Sequence, residues 1–302
     1  DSKVVAATAA MPDGTGTKEA ITLFPDRVWD TGICESHAMD MLAGLAKTGC
    51  KPFFAVYSTF LQRAFDQAFQ EVALQGLPVR LCLDRAGVVG GDGAVHHGFC
   101  DISLLRVLPN ATLLAAIDET TLKHGLQCML QCNDGLSAIR YPRDSVSELV
   151  ADSPPFVIGK AHCILESKEP KLAILGYGTP AIHALEAAQR LDSQSIAVYD
   201  ARFAKPVDGD LIESLLSNSI PIITVEDHST IGGFGSAVIE EASNRNLDTS
   251  LVTVLGLPDR WIGHGSRKEQ LEEAGIDATS IALVAEKFLQ PTKTEIPEVV
   301  TS

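Results

Sequence analysis

Short apolar runs alternate with stretches of helical periodicity through the first half of the chain. The runs predict strands over Lys3–Ala7, Val28–Cys34, Pro52–Tyr57, Pro78–Asp84 and Thr112–Ile117. Helices are predicted between them, near 36–48, 59–75, 101–107 and 119–132. The 59–75 segment has the sharpest signal, because Leu61, Ala64, Phe65, Ala68, Phe69 and Val72 recur at one-face helical spacing. Near-continuous apolar strands set between helices predict a mostly parallel sheet covered on both faces. The rhythm lapses around Pro154-Pro155, so residues 147–168 read as a linker. It resumes with "KLAILGYGTPA", "SIAVYDARF", "PIITVEDHS" and "SLVTVLGLP", with helices expected at 180–191, 208–217, 234–246 and 267–287. The fold class is therefore α/β, with two doubly wound domains at 1–146 and 169–290. The tail from 291 to 302 reads as frayed.

Composition narrows the function. The formal net charge of −15 disfavours a nucleic-acid reader, and any phosphate would need local arginines. The cysteines are scattered and odd in number; the closest pair, Cys128 and Cys132, lacks the partners of a zinc site and reads as buried thiols. That usage suits a reducing compartment. No apolar run reaches the length of a membrane span, and no signal peptide is visible. The chain opens on a strand-like run without an initiator Met, as a processed chain or a part of something longer would.

Open α/β sheets place ligands beyond the carboxyl ends of their strands. Glu35 follows one predicted strand, "YSTF" with Tyr57 and Phe60 follows another, and Asp84-Arg85 with "AGVVGGDGAVHHG" follows a third. Each has a plain reading as well as a functional one. Glu35 could simply favour a helix amino terminus. Phe60 could fill the core, Arg63 could pair on a helix surface, and the glycines of the loop could serve its turns. His96 and His97 could be loop-surface histidines, and Arg140 and Arg143 could be surface charge. What raises the functional reading is that all of them fall at strand ends of one predicted domain.

"FPDRVWDTGICESHAMDMLAGLA", "KPFFAVYSTFLQRAFDQ", "LPVRLCLDRAGVVGGDGAVHHG", "SAIRYPRD", "DARFAKPVD" and "TVEDHSTIGGFGS" together resemble the 1-deoxy-D-xylulose-5-phosphate synthase family. That family lies in the transketolase-like, thiamine-diphosphate-dependent superfamily. The resemblance covers residues 1 to 288, as a pyrimidine-binding domain followed by a transketolase carboxyl-terminal domain. It implies a missing amino-terminal domain that would hold the diphosphate and Mg²⁺. The Gly-Asp-Gly at 91–93 is not that domain's Mg²⁺ motif: no strand runs into it, and Asn110 and Asn133 both fall at the wrong spacing.

The resemblance also implies roles. Glu35 would hydrogen-bond the cofactor's aminopyrimidine, which needs a carboxyl group able to hold a proton near neutrality, and so a buried one. Phe60 would stack on the aminopyrimidine, with Tyr57 nearby. Arg63, Arg85 and Arg143, with Tyr57, would meet glyceraldehyde 3-phosphate. Asp92 and His96 would meet the reacting carbonyl and hydroxyl groups. The implied reaction joins pyruvate, with loss of CO₂, to glyceraldehyde 3-phosphate, for isoprenoid precursors. The chain departs from the family at Ser36, Val95 and His97. The resemblance further implies a homodimer, a cytoplasmic or plastid location, no membrane partner and no nucleic acid. Transketolase itself, the beta subunit of a 2-oxo-acid dehydrogenase and a non-catalytic dimerisation fragment are the alternatives. Glu226, Asp227 and His228 read as a structural or subunit-contact set.

Overall fold

The computed structural model describes residues 1–145, 150, 153–192 and 194–290. Its strands are β1 (Val4–Thr8), β2 (Val28–Asp30), β3 (Lys51–Tyr57), β4 (Arg80–Asp84), β5 (Thr112–Ala115), β6 (Ser137–Arg140), β7 (His162–Leu165), β8 (Leu172–Tyr177), β9 (Ile196–Asp200), β10 (Phe203–Lys205), β11 (Ile222–Ser229) and β12 (Val252–Leu257). They form two sheets. The first runs β10-β5-β6-β4-β3-β1-β2 and the second β12-β11-β8-β9-β7. Every pairing is parallel except β10 on β5 and β7 on β9, which close one edge of each sheet. Helices cover both sheets, and β8, buried along its whole length, centres the second.

Five expected features change. The linker expected at 147–168 contains β7, a half-exposed antiparallel edge strand whose two-sided exposure gives little pattern to read. Its residues 146–149 and 151–152, and the tail expected to fray at 291–302, lie outside the described residues. β10, inside the expected second domain, belongs to the first sheet, because Phe203 and Lys205 pair with Leu114 and Leu113. The strand expected over Val28–Cys34 stops at Asp30, where Gly32 turns at φ +73°. The helix expected over 267–287 is two, Arg267–Ala274 and Ala278–Leu289, divided at Gly275 in the left-handed region and restarted by the Asp277 cap.

The fifth change shapes the site. The single helix expected over 59–75 is a 3₁₀ run over Ser58–Ala64, a short α turn over Phe65–Gln67 and a π turn over Ala68–Ala73. Leu61, Ala64, Ala68 and Val72 remain fully buried, while Phe69 swings outward at 43% exposure. In the 3₁₀ run, residues three apart stand one above the other. That geometry lays the Arg63 guanidinium on the Phe60 ring, 4.4 Å from its centroid.

Candidate active site

The parallel strands of the first sheet share one carboxyl edge, and the chain places a chemical group just past each of four. After β2, Glu35 opens the helix Glu35–Lys47, whose buried face of Ala38, Met39, Leu42, Ala43 and Ala46 draws the carboxylate inward to 3% exposure. After β3, the 3₁₀ run carries Phe60 and Arg63. After β4 come Arg85 and the loop bearing Asp92 and His96. After β6 comes Arg143.

These residues touch one another in an unbroken series. Arg63 Nη1 donates to Glu35 Oε1 at 2.8 Å. Phe60 stacks against Tyr57 at 5.8 Å and meets the edge of His96 at 5.6 Å. The Arg85 guanidinium lies 3.7 Å over the Tyr57 ring. Asp92 Oδ2 is 3.3 Å from Arg143 Nη1 and 3.9 Å from Arg85 Nε. His96 Nδ1 is 3.1 Å from the Asp92 carbonyl oxygen. The structure thus brings together all eight residues singled out in the sequence. Three guanidinium groups and the carboxylates of Glu35, Asp84 and Asp92 nearly balance, so an arriving anion meets paired arginines.

Sequence reasoning named Asp84 without a role and missed the other supports. Asp84 Oδ2 accepts from Arg85 Nη1 at 2.7 Å and fixes that side chain; burial raises the Asp84 carboxyl above its ordinary range, against the pull of Arg85. Arg85 itself sits in the left-handed region at φ +58°, and its buried Nε has no hydrogen-bond partner among the described residues. Gly14 packs under Tyr57: a Cβ there would lie 1.7 Å from the phenol oxygen. Burial also raises the Tyr57 phenol. Thr59 Oγ1 donates to the Val95 carbonyl at 3.3 Å and ties the 3₁₀ run to the loop. A lone glycine or threonine gives no signal of such contacts in a sequence.

Two other residues fall differently from their plainest reading, and three more take the structural part of theirs. Arg140 is not surface charge but is 5% exposed and bidentate on Asp101. His97 is no loop-surface histidine: at 3% exposure, its Nδ1 accepts from the Val89 N–H and its Nε2–H donates to the Ile262 carbonyl, each at 3.2 Å. Burial lowers its pKa, which keeps this neutral, bridging form. Glu226, Asp227 and His228 are buried fastenings: Glu226 accepts the N–H groups of Phe234 and Gly235 at a helix start, and Asp227 accepts the Val88 N–H at 3.0 Å.

A buried glutamate beside an aromatic ring, both covered by the single side chain of Arg63, fits the polar edge and flat face of an aminopyrimidine once that side chain moves. Among the described residues no group of three or more His, Cys, Asp and Glu side chains could hold a metal ion. The Gly-Asp-Gly at 91–93 is a tight turn packed on the second domain, with a Cβ at Gly93 falling 2.3 Å from His264. The residues present fit the heterocyclic end of thiamine diphosphate. The seven cysteines are free thiols, and among the described residues no helix is long and apolar enough to cross a membrane.

Two open sheets, one with a buried glutamate, an aromatic ring and arginines along its carboxyl edge, make a two-domain α/β protein. Comparison with known families agrees: residues 1–148 match the transketolase pyrimidine-binding domain and residues 159–281 the transketolase C-terminal domain. The chain belongs to the transketolase family. It is 44% identical over 293 residues to 1-deoxy-D-xylulose-5-phosphate synthase 1 of Geobacter sulfurreducens, covering 96% of this chain and 46% of that protein. It is also 44% identical over 289 residues to 1-deoxy-D-xylulose-5-phosphate synthase of Magnetococcus marinus, covering 94% and 46%. The chain thus spans about half the length of these curated relatives. Among solved structures it resembles a split-gene transketolase, described as an inactive beta4 tetramer, with a TM-score of 0.84 at 29% identity, covering 96% of this chain and 93% of that one.

Proposed function

We propose that this chain forms the pyrimidine-binding side of a 1-deoxy-D-xylulose-5-phosphate synthase, which joins pyruvate, with loss of CO₂, to glyceraldehyde 3-phosphate. The carrying observation is the unbroken contact series from Glu35 through Arg63, Phe60, Tyr57, Arg85 and Asp92 to Arg143 and His96. When bound, thiamine diphosphate supplies a nucleophilic carbon and an electron sink for the decarboxylated unit. Its diphosphate and Mg²⁺ would be held by protein outside these 302 residues.

The chain's own residues do the rest. Glu35, buried at the head of its helix, hydrogen-bonds the polar edge of the aminopyrimidine. Phe60, backed by Tyr57, offers a rigid flat face at little entropic cost. In the structure Arg63 covers both Glu35 and that face, so a heterocycle seated there sends its guanidinium outward. There it joins Arg85 and Arg143 on the acceptor's phosphate, where paired donors suit the phosphate oxygens. His96, held at the Asp92 carbonyl, moves a proton at the acceptor's carbonyl oxygen, and Asp92 orients the hydroxyl groups.

The test is Glu35→Ala in the full-length protein, with folding checked by circular dichroism. Product formation from pyruvate and glyceraldehyde 3-phosphate should vanish while the spectrum holds; normal turnover would remove the assignment. The 302-residue chain alone should be inactive, and turnover by it would refute a site shared with other protein. A second reading, transketolase activity, draws on the split-gene transketolase, which matches over nearly the whole of both chains. Transfer from a ketose donor without CO₂ release would select it. In either case the working form is expected to be a dimer.

A further inference from the structure

The loop that carries Asp92 and His96 is gripped from the second domain by a side chain that the site does not itself use. Gln270, on the helix Arg267–Ala274, is 1% exposed. Its carboxamide oxygen accepts the Gly90 N–H at 2.7 Å. Its amide nitrogen donates to the Gly90 carbonyl at 3.0 Å and to the Gly263 carbonyl at 2.8 Å. A side chain that satisfies both backbone groups of one residue fixes that residue's place and orientation, which packing alone does not. Gly90 sits at φ +70°, and a Cβ there would come 3.3 Å from the Arg267 nitrogen, so glycine is what lets the helix approach this closely.

Two more ties bracket the same loop, from Val88 to Asp227 and from His97 to Ile262. None of the three touches the side chains of Asp92 or His96. They hold the backbone on either side of them.

We propose that Gln270 is a positioning residue: by fixing Gly90 it sets the 90–96 loop so that Asp92 and His96 face Phe60 and the arginines. This rests on the reading of Asp92 and His96 as substrate-facing groups. Gln270→Met keeps the volume but takes the partner from the Gly90 N–H and leaves the Gly90 carbonyl only the Gly93 N–H, at 3.1 Å. In the full-length protein this variant should speed amide exchange across residues 88–98 about tenfold or more, with the strand amides of both sheets unchanged. It should also lower kcat/KM for the aldehyde acceptor by about tenfold or more while the KM for pyruvate stays put. Gln270→Glu, a milder change, keeps an acceptor for the Gly90 N–H. Its loop protection, relative to the parent at the same pH, should recover as the pH falls and the carboxyl regains a proton to donate; a space-filling role would give no such recovery. Exchange that rises uniformly over the chain, or a loop that stays protected in both variants, would overturn the proposal. Loop protection lost in a protein whose parent shows no turnover would support the grip and refute the proposed reaction.

Discussion

Arg140, at the end of β6, lies inside the protein with its guanidinium on Asp101: Nε to Oδ2 at 2.9 Å and Nη2 to Oδ1 at 3.2 Å. The two side chains are 5% and 2% exposed. The same guanidinium donates to the carbonyls of Gly98, in the loop beyond His96, and of Asp227, in the second domain, at 3.2 and 3.0 Å. Asp101→Ala removes both charge-assisted bonds and leaves a buried cation on neutral carbonyls. Each such bond contributes about 1.5–3 kcal/mol, and breaking a buried pair from one side costs about 3–5 kcal/mol. The two routes agree, so a loss of about 3–5 kcal/mol is expected. At roughly 2–4 °C per kcal/mol for a chain of this size, Tm should fall by roughly 6–20 °C. Urea denaturation of the parent, Asp101→Ala, Arg140→Met and the double variant would measure it. The double variant, with no charge left buried, should recover to within about 1–2 kcal/mol of the parent. A loss below about 1 kcal/mol for Asp101→Ala, the value of an exposed pair, or strict additivity in the cycle would refute this account.

Two further outcomes follow from the same packing. Burial holds His228 near a pKa of about 4, below its ordinary 6.5, so the unfolded chain takes up a proton first. Its contribution is present above about pH 6.5 and is lost as the pH falls toward 4, by up to about 3 kcal/mol; burial pushes neighbouring Glu226 up to about 7, which works in the opposite sense. The parent minus His228→Gln stability difference should therefore climb from pH 4 to 6.5, and parallel curves would contradict it. Gly14→Ala places a methyl group on the Tyr57 phenol, at 1.7 Å, and should shift the ring off Phe60 and Arg85. Calorimetry with thiamine diphosphate and the full-length protein should show affinity weakened about tenfold, with overpacking costing about 1–3 kcal/mol of stability; unchanged affinity would free Tyr57 from the site.

Much of the site was legible because its chemistry hangs on strand ends. Parallel strands announce themselves as apolar runs, and Glu35, Phe60 and Arg85 follow such runs closely, with Asp92 in the loop beyond. β6 was missed because "SAIR" is short and meets "YP" at once, and β10 because three residues carry no period. The helix Thr17–Leu23 was missed since none of its residues is buried, leaving no stripe to count. The 3₁₀ and π turns after β3 obey the same apolar spacing as a helix until the pitch is seen, which is why Arg63 on Phe60 was not foreseen. Least legible were the ties between domains. Gly90 and Gln270 are 180 positions apart, and neither residue type signals the other.

The strand β10 has a consequence for how the molecule is made. Residues 203–205 complete the edge of a sheet whose other six strands end at Arg140, and Lys205 Nζ locks them there on the carbonyls of Arg106 and Leu108 at 2.7 and 2.6 Å. During synthesis from the amino terminus, that sheet waits, with β5 as a bare edge, while more than sixty further residues emerge from the ribosome. A bare edge is a template for pairing with another chain until its own strand arrives. The two halves are therefore laced together in the order of their birth, and a gene cut between them would hand each product an unfinished seam.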